Sequence, residues 1–327
     1  MSRPSVLVTG AAGYVGRMTV DALVARRDEL TRIVALDVGE VPEDERHEGV
    51  EYVVGDVTMG GLEELMHSRA IDTVVHLASI VRVPRGTSAD FAYRVDVEGS
   101  RNVVNACVTS GVNELVVTTS GAAYGYHRDN PEWLDEGDAL RGNESFPYAW
   151  HKRLVEEMLA ESRRDHPELA QLVLRPGTIV GEGTRSPVTD AFEGPLILGV
   201  WGSRSPFVFV WDRDVVAVIL LGVFDRCTGV YNLAGDGFLT MREIARRLHK
   251  PYVALPASAI RFALRTLNAL GRIARGPEQV DFLRYRPVLS NRRLRDELNF
   301  RPIDSADAFE IWASSRATSL GRFRRSP

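Results

Sequence analysis

Lysine is almost missing from this chain of 327 residues: Lys152 and Lys250 are the only two, and arginine supplies the rest of the 40 positive charges. Cysteine is equally scarce. Cys107 and Cys227 can build neither a disulfide framework nor a metal cluster, so no metal and a reducing, cytoplasmic setting are expected. Positive charge is not in excess either, since 44 acidic residues leave a formal net charge of −4. A body that binds nucleic acid would normally be basic, and no nucleic-acid partner is expected. No apolar run approaches the ~18 residues of a membrane span, which excludes a spanning segment and predicts no membrane partner. Ser5-Val6-Leu7-Val8 already reads as a buried strand and leaves no room before it for a signal peptide. Repeats and low-complexity tracts are lacking. With 44% apolar and 26% charged residues, the composition excludes a disordered or collagen-like chain. At roughly 100–200 residues per domain, the length allows two domains, or one large α/β unit with a smaller cap.

What the chain does have is rhythm. In its first half short apolar runs alternate with amphipathic stretches, the pattern of βαβ units and a parallel sheet. Strands are predicted at residues 5–8, 32–36, 50–54, 73–77, 114–118 and 171–174. They are nearly continuous in Val, Leu and Ile, as expected where both faces of a sheet are covered. Helices are predicted at 17–27, 62–69, 89–110 and 148–164. In the last, Leu154, Val155, Met158 and Leu159 make an apolar face, and Glu156, Glu157 and Glu161 a wet one. After Gly181 the rhythm changes. Residues 181–206 are rich in Gly, Pro and Ser, with an apolar insert near 195–200, and read as a loop-rich segment over a site. Strands follow at 207–210 and 229–233, and helices at 214–224 and 241–249. Beyond Pro251 an amphipathic helix at about 257–274 sets Ile260, Leu264, Leu267 and Leu270 beside Arg261, Arg265 and Arg272. Such a helix can lie on a membrane surface, yet it more often packs on its own domain, which is the expectation here. The basic tail 322–327 is expected to fray.

Three motifs carry chemistry. Thr9-Gly10-Ala11-Ala12-Gly13-Tyr14-Val15-Gly16 follows the first strand and opens the first helix. Glycines there let the backbone turn tightly and approach a pyrophosphate, whose charge meets the free N–H groups of a helix start. Asp37 ends the second strand, 21 positions after Gly16. An acid there would bind a ribose 2′-hydroxyl and repel a 2′-phosphate, so the implied cofactor is NAD rather than NADP. The bland alternative is a turn or cap aspartate. Tyr148 and Lys152 lie at i and i+4, on one helical face. A phenol titrates near ~10 and is badly tuned for proton transfer at neutral pH. An adjacent fixed ammonium favours the phenolate and lowers that value. Such a pair is rare by chance in a chain with nine tyrosines and two lysines. Ser120 comes just after the fifth strand, and ligands of open parallel sheets bind outside the carboxyl ends of strands. A lone serine there is usually a turn residue; beside the other two motifs it is a catalytic candidate.

In order along the chain, Thr-Gly-x-x-Gly-x-x-Gly, Asp37, Gly55-Asp56-Val57, His76-Leu77-Ala78-Ser79, Ser120, Tyr148-x-x-x-Lys152 and Leu174-Arg175-Pro176-Gly177 carry a resemblance. Over about residues 5–312 the sequence resembles the NAD-dependent epimerase/dehydratase branch of the extended short-chain dehydrogenase/reductase superfamily. The resemblance implies an α/β fold, a Rossmann-like doubly wound parallel sheet with a smaller C-terminal substrate lobe. Residues 1–180 would bind NAD, and 181–327 would mainly form the lobe, with about 207–249 returning to the first domain. Gly10, Gly13, Tyr14, Val15 and Gly16 would cradle the cofactor, and Asp56 and Val57 would contact adenine. Leu77, Ala78 and Ser79 would line it between loop and ribose, with Pro176 beside the nicotinamide. Family members commonly pair through two helices, here 89–110 and 148–164, so a homodimer is expected. The departures are specific. Asp96 stands where asparagine is usual, and Arg175-Pro176-Gly177-Thr178 replaces the Tyr-Phe-Asn frequent in sugar-nucleotide epimerases. The strand Phe207-Val208-Phe209-Val210-Trp211 lacks the arginine such enzymes often offer to a diphosphate, leaving Arg185, Arg204 and Arg213 as substitutes.

The expected chemistry is hydride movement between NAD and an alcohol carbon of a small-molecule substrate. Tyr148 would be the acid/base, Lys152 would lower its pKa and hold the nicotinamide ribose, and Ser120 would orient the substrate oxygen. Three readings follow: a nucleotide-sugar 4-epimerase; a dehydrogenase or ketoreductase of an apolar alcohol such as a hydroxysteroid; and a non-catalytic NAD-sensing protein. A dehydratase is excluded because Gly121 and Ala122 supply no acid beside Ser120, and the intact Ser-Tyr-Lys set opposes the third reading.

Overall fold

A computed structural model describes residues 3–82, 90–270, 276 and 278–323, with the backbone only for 317–323. In chain order its elements begin β1 (Ser5–Thr9), α1 (Tyr14–Ala25), β2 (Arg32–Asp37), β3 (Glu51–Val54), α2 (Leu62–Ser68), β4 (Thr73–His76) and α3 (Asp90–Tyr93). They continue as α4 (Ser100–Ser110), β5 (Glu114–Thr118), α5 (Pro147–Asp165), β6 (Ala170–Pro176), β7 (Thr178–Val180), α6 (Pro187–Glu193) and β8 (Ile197–Val200). Next come β9 (Pro206–Phe207), β10 (Phe209–Trp211), α7 (Asp212–Asp225), β11 (Gly229–Leu233), β12 (Leu239–Thr240), α8 (Met241–Arg247) and β13 (Tyr252–Leu255). Last are α9 (Ala257–Ala269), α10 (Gln279–Arg284), α11 (Arg292–Leu298) and α12 (Ser305–Phe323).

Seven strands form one sheet in the order β3-β2-β1-β4-β5-β6-β11. The pairs β3-β2, β2-β1, β1-β4, β4-β5 and β5-β6 are all parallel. The continuous apolar runs are explained by burial on both faces. Leu115 and Val117 point into a core shared with α2, α4 and α5, whereas Val116 faces α7, where a Cβ on Gly222 would sit 2.6 Å from its methyl. After β3 the chain returns past β1 to form β4. The carboxyl ends of β1 and β4 therefore diverge at a topological switch point, where open parallel sheets bind ligands.

The chain forms two compact units. The first holds Met1–Ser120, His151–Pro176 and Asp212–Tyr231, and the second Gly121–Trp150, Gly177–Trp211 and Asn232–Pro327. Within the second, β10 pairs with β7 and β13 with β8 in parallel, and β12 with β9 antiparallel. Its core is aromatic: Phe192, Phe207, Phe209, Phe309 and Trp312 pack with ring centroids 5.1–6.4 Å apart.

The differences from the predicted elements have physical causes. Helix 89–110 is interrupted: α3 runs into a π segment, Arg94–Gly99, before α4 begins. In that widened turn Asp96 bonds groups outside its own helix, and Gly99 passes so near Val57 that a Cβ would stand 2.8 Å from its methyl. Residue 89 lies outside the described residues. Segment 181–206 is more ordered than its composition implied. Ser186 and Thr189 form a capping box that starts α6, and β8 is held by β13, which was not predicted. Helix α9 ends at Ala269, and 271–274 lie outside the described residues. It buries Ile260 and half-buries Leu264 and Leu267, but leaves Phe262 73% exposed, so packing covers one stripe only. Residues 322–323 of the expected tail belong to α12, and 324–327 lie outside the described residues.

Candidate active site

The glycine turn sits at the switch point. Gly10 has φ +71°, and a Cβ there would lie 2.6 Å from the Ala78 nitrogen, so the turn packs directly on the segment after β4. A Cβ on Gly16 would stand 2.0 Å from the Gly10 carbonyl oxygen, so α1 begins pressed against the turn. Gly13 is the N-cap of α1 and supplies no side chain to it, and Tyr14, Val15 and Gly16 form the first helical turn. Such a start directs backbone N–H groups and positive dipole outward, fit for an anion. The Tyr14 hydroxyl donates to Asp212 at the start of α7, a tie that sequence reasoning missed. Asp37 serves the backbone: its Oδ2 accepts from Ala12 N–H and its Oδ1 from Gly39 N–H, both at 2.9 Å. The cap role is real, and it leaves the half-buried carboxylate with further lone pairs. Asp56 similarly accepts from the N–H and hydroxyl of Thr58, both at 2.8 Å, while Val57 is buried in the core. Leu77, Ala78 and Ser79 are half-buried beside the turn, and Pro176 ends β6.

Lys152 is only 4% exposed. Its Nζ donates to Ser79 Oγ at 2.8 Å, and Ser79 donates in turn to Asp96 Oδ1 at 2.7 Å. Asp96 Oδ1 also accepts from Ile80 N–H at 3.0 Å and lies 3.9 Å from the ammonium. Burial pushes Lys152 below the ordinary amine range, against the opposing pull of Asp96 and then Glu156. Burial would raise Asp96, but the Lys152 charge and the hydrogen bonds around it hold it below the usual carboxylate range. Glu156, one turn further along α5, is clamped by Arg175 through two bonds of 2.9 Å. Sequence reasoning left Asp96 without a function, because Ser79, Asp96 and Lys152 are far apart in the chain.

Tyr148 lies in the first turn of α5, one turn before Lys152. Within the second unit it packs with Tyr126, Phe146, Phe282 and Tyr285, and Phe146 stacks on Phe282 at 5.5 Å. Arg286, which sequence reasoning missed, adjoins this cluster. Its guanidinium lies 4.0 Å from the ring centroid of Phe207 and 4.4 Å from that of Phe282. Nη2 donates to Thr178 Oγ1 at 3.1 Å, whereas Nη1 is buried with no hydrogen-bond partner among the described residues. Burial lowers its pKa to about 10 even though Tyr126 opposes the shift. Ser120 is buried immediately after Thr119, whose hydroxyl donates to Glu156. Among the described residues no group of three or more His, Cys, Asp or Glu could hold a metal ion, and no helix is long and apolar enough to cross a membrane.

The sequence profile of the NAD dependent epimerase/dehydratase family matches residues 6–235. The chain belongs to this family. It is an NAD-dependent enzyme of the short-chain dehydrogenase/reductase type, and the glycine cradle and a helix start without a side-chain cap fit that cofactor. An uncharacterized protein of Mycobacterium tuberculosis is 24% identical over 316 residues, covering 95% of this chain and 84% of the relative. A 3-beta-hydroxysteroid dehydrogenase of Mycolicibacterium neoaurum is 29% identical over 205 residues, 58% of this chain and 52% of its own length. Among solved structures, MoeE5 in complex with UDP-glucose and NAD has a TM-score of 0.72 and 24% identity, covering 97% of this chain and 99% of that one. This likeness confirms the Rossmann-like fold of the family member with its C-terminal lobe.

Proposed function

We propose that this family member oxidises and re-reduces an alcohol carbon of an anionic substrate, as a nucleotide-sugar 4-epimerase does. Arg286 carries the reading. Leaving a donor of a buried guanidinium unpaired is costly, and a phosphate or diphosphate would supply a charged acceptor for it. It adjoins the aromatic cluster that holds Tyr148, so it belongs to the surroundings of the reacting phenol. It takes the part for which the strand 207–211 has no arginine.

NAD, when bound, would be held by Gly10, Gly13, Tyr14, Val15 and Gly16, by Asp37, and by Asp56, Val57, Leu77, Ala78, Ser79 and Pro176. The hydride acceptor and donor is what it supplies. Tyr148, as phenolate, takes the hydroxyl proton of the substrate and later returns it to the same oxygen. Ser120 donates to that oxygen and steadies the charge developing there. Lys152 would bond the ribose hydroxyls of the bound cofactor and, by its charge, favour the phenolate. A paired-helix homodimer would use the groove of about 500 Å³ lined by Tyr93, Val97, Arg101, Leu154, Met158 and Arg164. Sedimentation equilibrium checks it.

A second reading, oxidation of an apolar alcohol, is favoured by the aromatic packing of Tyr126, Phe146, Phe282 and Tyr285 around Tyr148, and by the hydroxysteroid dehydrogenase relative. One assay separates the two. Under the first reading UDP-glucose is converted to its C4 epimer without net NADH, and R286M raises KM at least about tenfold with a smaller change in kcat. Steady NADH formation from a hydroxysteroid, with UDP-glucose untouched, would reject it.

A further inference from the structure

Asp96 is the member of the Lys152 cluster that the reading above does not use. We propose that Asp96 is a positioning residue whose carboxylate fixes the Lys152 ammonium, charge included, where it serves the cofactor ribose and Tyr148. The inference rests on that reading of Lys152.

The hydrogen bonds run in one direction. Ser79 Oγ accepts from Lys152 and spends its own proton on Asp96 Oδ1, an acceptor that an ionised carboxylate guarantees. Direct approach of the ammonium to Oδ1, at 3.9 Å, adds attraction without a hydrogen bond. Asp96 is 1% exposed, and its Oδ2 has no hydrogen-bond partner among the described residues, only His151 Nδ1 at 3.5 Å.

Other charges facing Lys152 do not replace it. On its own helix the titratable neighbours in sequence are Tyr148, His151 and Glu156, and Glu156 is already bidentate with Arg175. From β4 comes His76, which burial and then Lys152 push down to about 4, so it stays neutral. Its ring nitrogens are engaged by Thr9 at 2.7 Å and Ser100 at 3.0 Å. Asp96 is therefore the facing carboxylate without a guanidinium partner among the described residues. An asparagine would keep the acceptor toward Ser79 and lose the charge. The π segment Arg94–Gly99, which puts Asp96 against Ser79 and Ile80, is the backbone feature that positions it.

NADH binding followed by fluorescence from pH 6 to pH 10 tests this in the wild-type protein, D96N, D96E and K152M. Wild-type affinity should fall in a step as Lys152 loses its proton. In D96N the step should move at least about one pH unit lower, since an opposite charge within this range shifts a pKa by ~1–3 units. D96E should restore the wild-type position. K152M should bind weakly throughout and lack the step. A D96N step at the wild-type pH overturns the proposal alone, with the K152M result intact. A step retained by K152M overturns the reading of Lys152 and the proposal together. Should D96N not fold, D96S removes the same charge, and the ¹⁵N resonance of the Lys152 amine reads its titration directly.

Discussion

Glu114 opens β5 with its side chain in the first unit, 3% exposed, and its Oε1 has no hydrogen-bond partner among the described residues. Burial, with Asp72 adding and Arg226 opposing, raises its carboxyl from 4.5 to about 7. The folded chain therefore holds this proton more tightly than the unfolded chain. Its contribution to stability is present below the unfolded value and is lost as pH rises toward 7. At about 1.4 kcal/mol per unit, the interval amounts to about 3 kcal/mol. Glu114→Gln removes the titration while keeping the shape. Urea unfolding at pH 5 and pH 8 should show the variant gaining about 3 kcal/mol over wild type at pH 8, and under about 1 kcal/mol at pH 5. Any cost of burying the amide is common to both pH values, so the difference between them is what counts. An identical gap at pH 5 and pH 8 would refute the argument.

Three further outcomes concern the site. Tyr148→Phe should lower turnover by ~10²–10⁴ while NADH binding, read by fluorescence, stays near wild type. In Gly16→Ala the new methyl would meet the Gly10 carbonyl oxygen at 2.0 Å, so NADH affinity by calorimetry should fall at least about tenfold, with a lower Tm. The wild-type protein should bind NAD more tightly than NADP, and Asp37→Ala should narrow that gap and lower Tm by freeing the Ala12 and Gly39 N–H groups. Equal wild-type affinity for the two cofactors would refute the role given to Asp37.

The sheet was legible because doubly covered strands leave an unbroken apolar signature, as in Val6-Leu7-Val8 and Leu115-Val116-Val117. The glycine turn was legible too, since only glycine survives at Gly10 and Gly16, where other backbone lies within van der Waals distance. Periodicity could not reveal the Ser79–Asp96–Lys152 cluster, which joins a loop, a π segment and a long helix. The departure from asparagine at Asp96 was the only trace of it. Arg286 was hidden differently: it lies in the block beyond Pro251 and is defined by rings of Phe207 and Phe282 that converge only after folding. Helix α6 and strand β8 were obscured by a Gly-, Pro- and Ser-rich composition, although the Ser186–Thr189 capping box marked the helix start.

The near absence of lysine has a practical side. Lys250 bonds the Phe192 carbonyl, and Lys152 sits beside Ser79, so the two amines occupy different units and different surroundings. Protein expressed with isotope-labelled lysine would yield a side-chain NMR spectrum of two signals, one of them from the interior of the catalytic candidate.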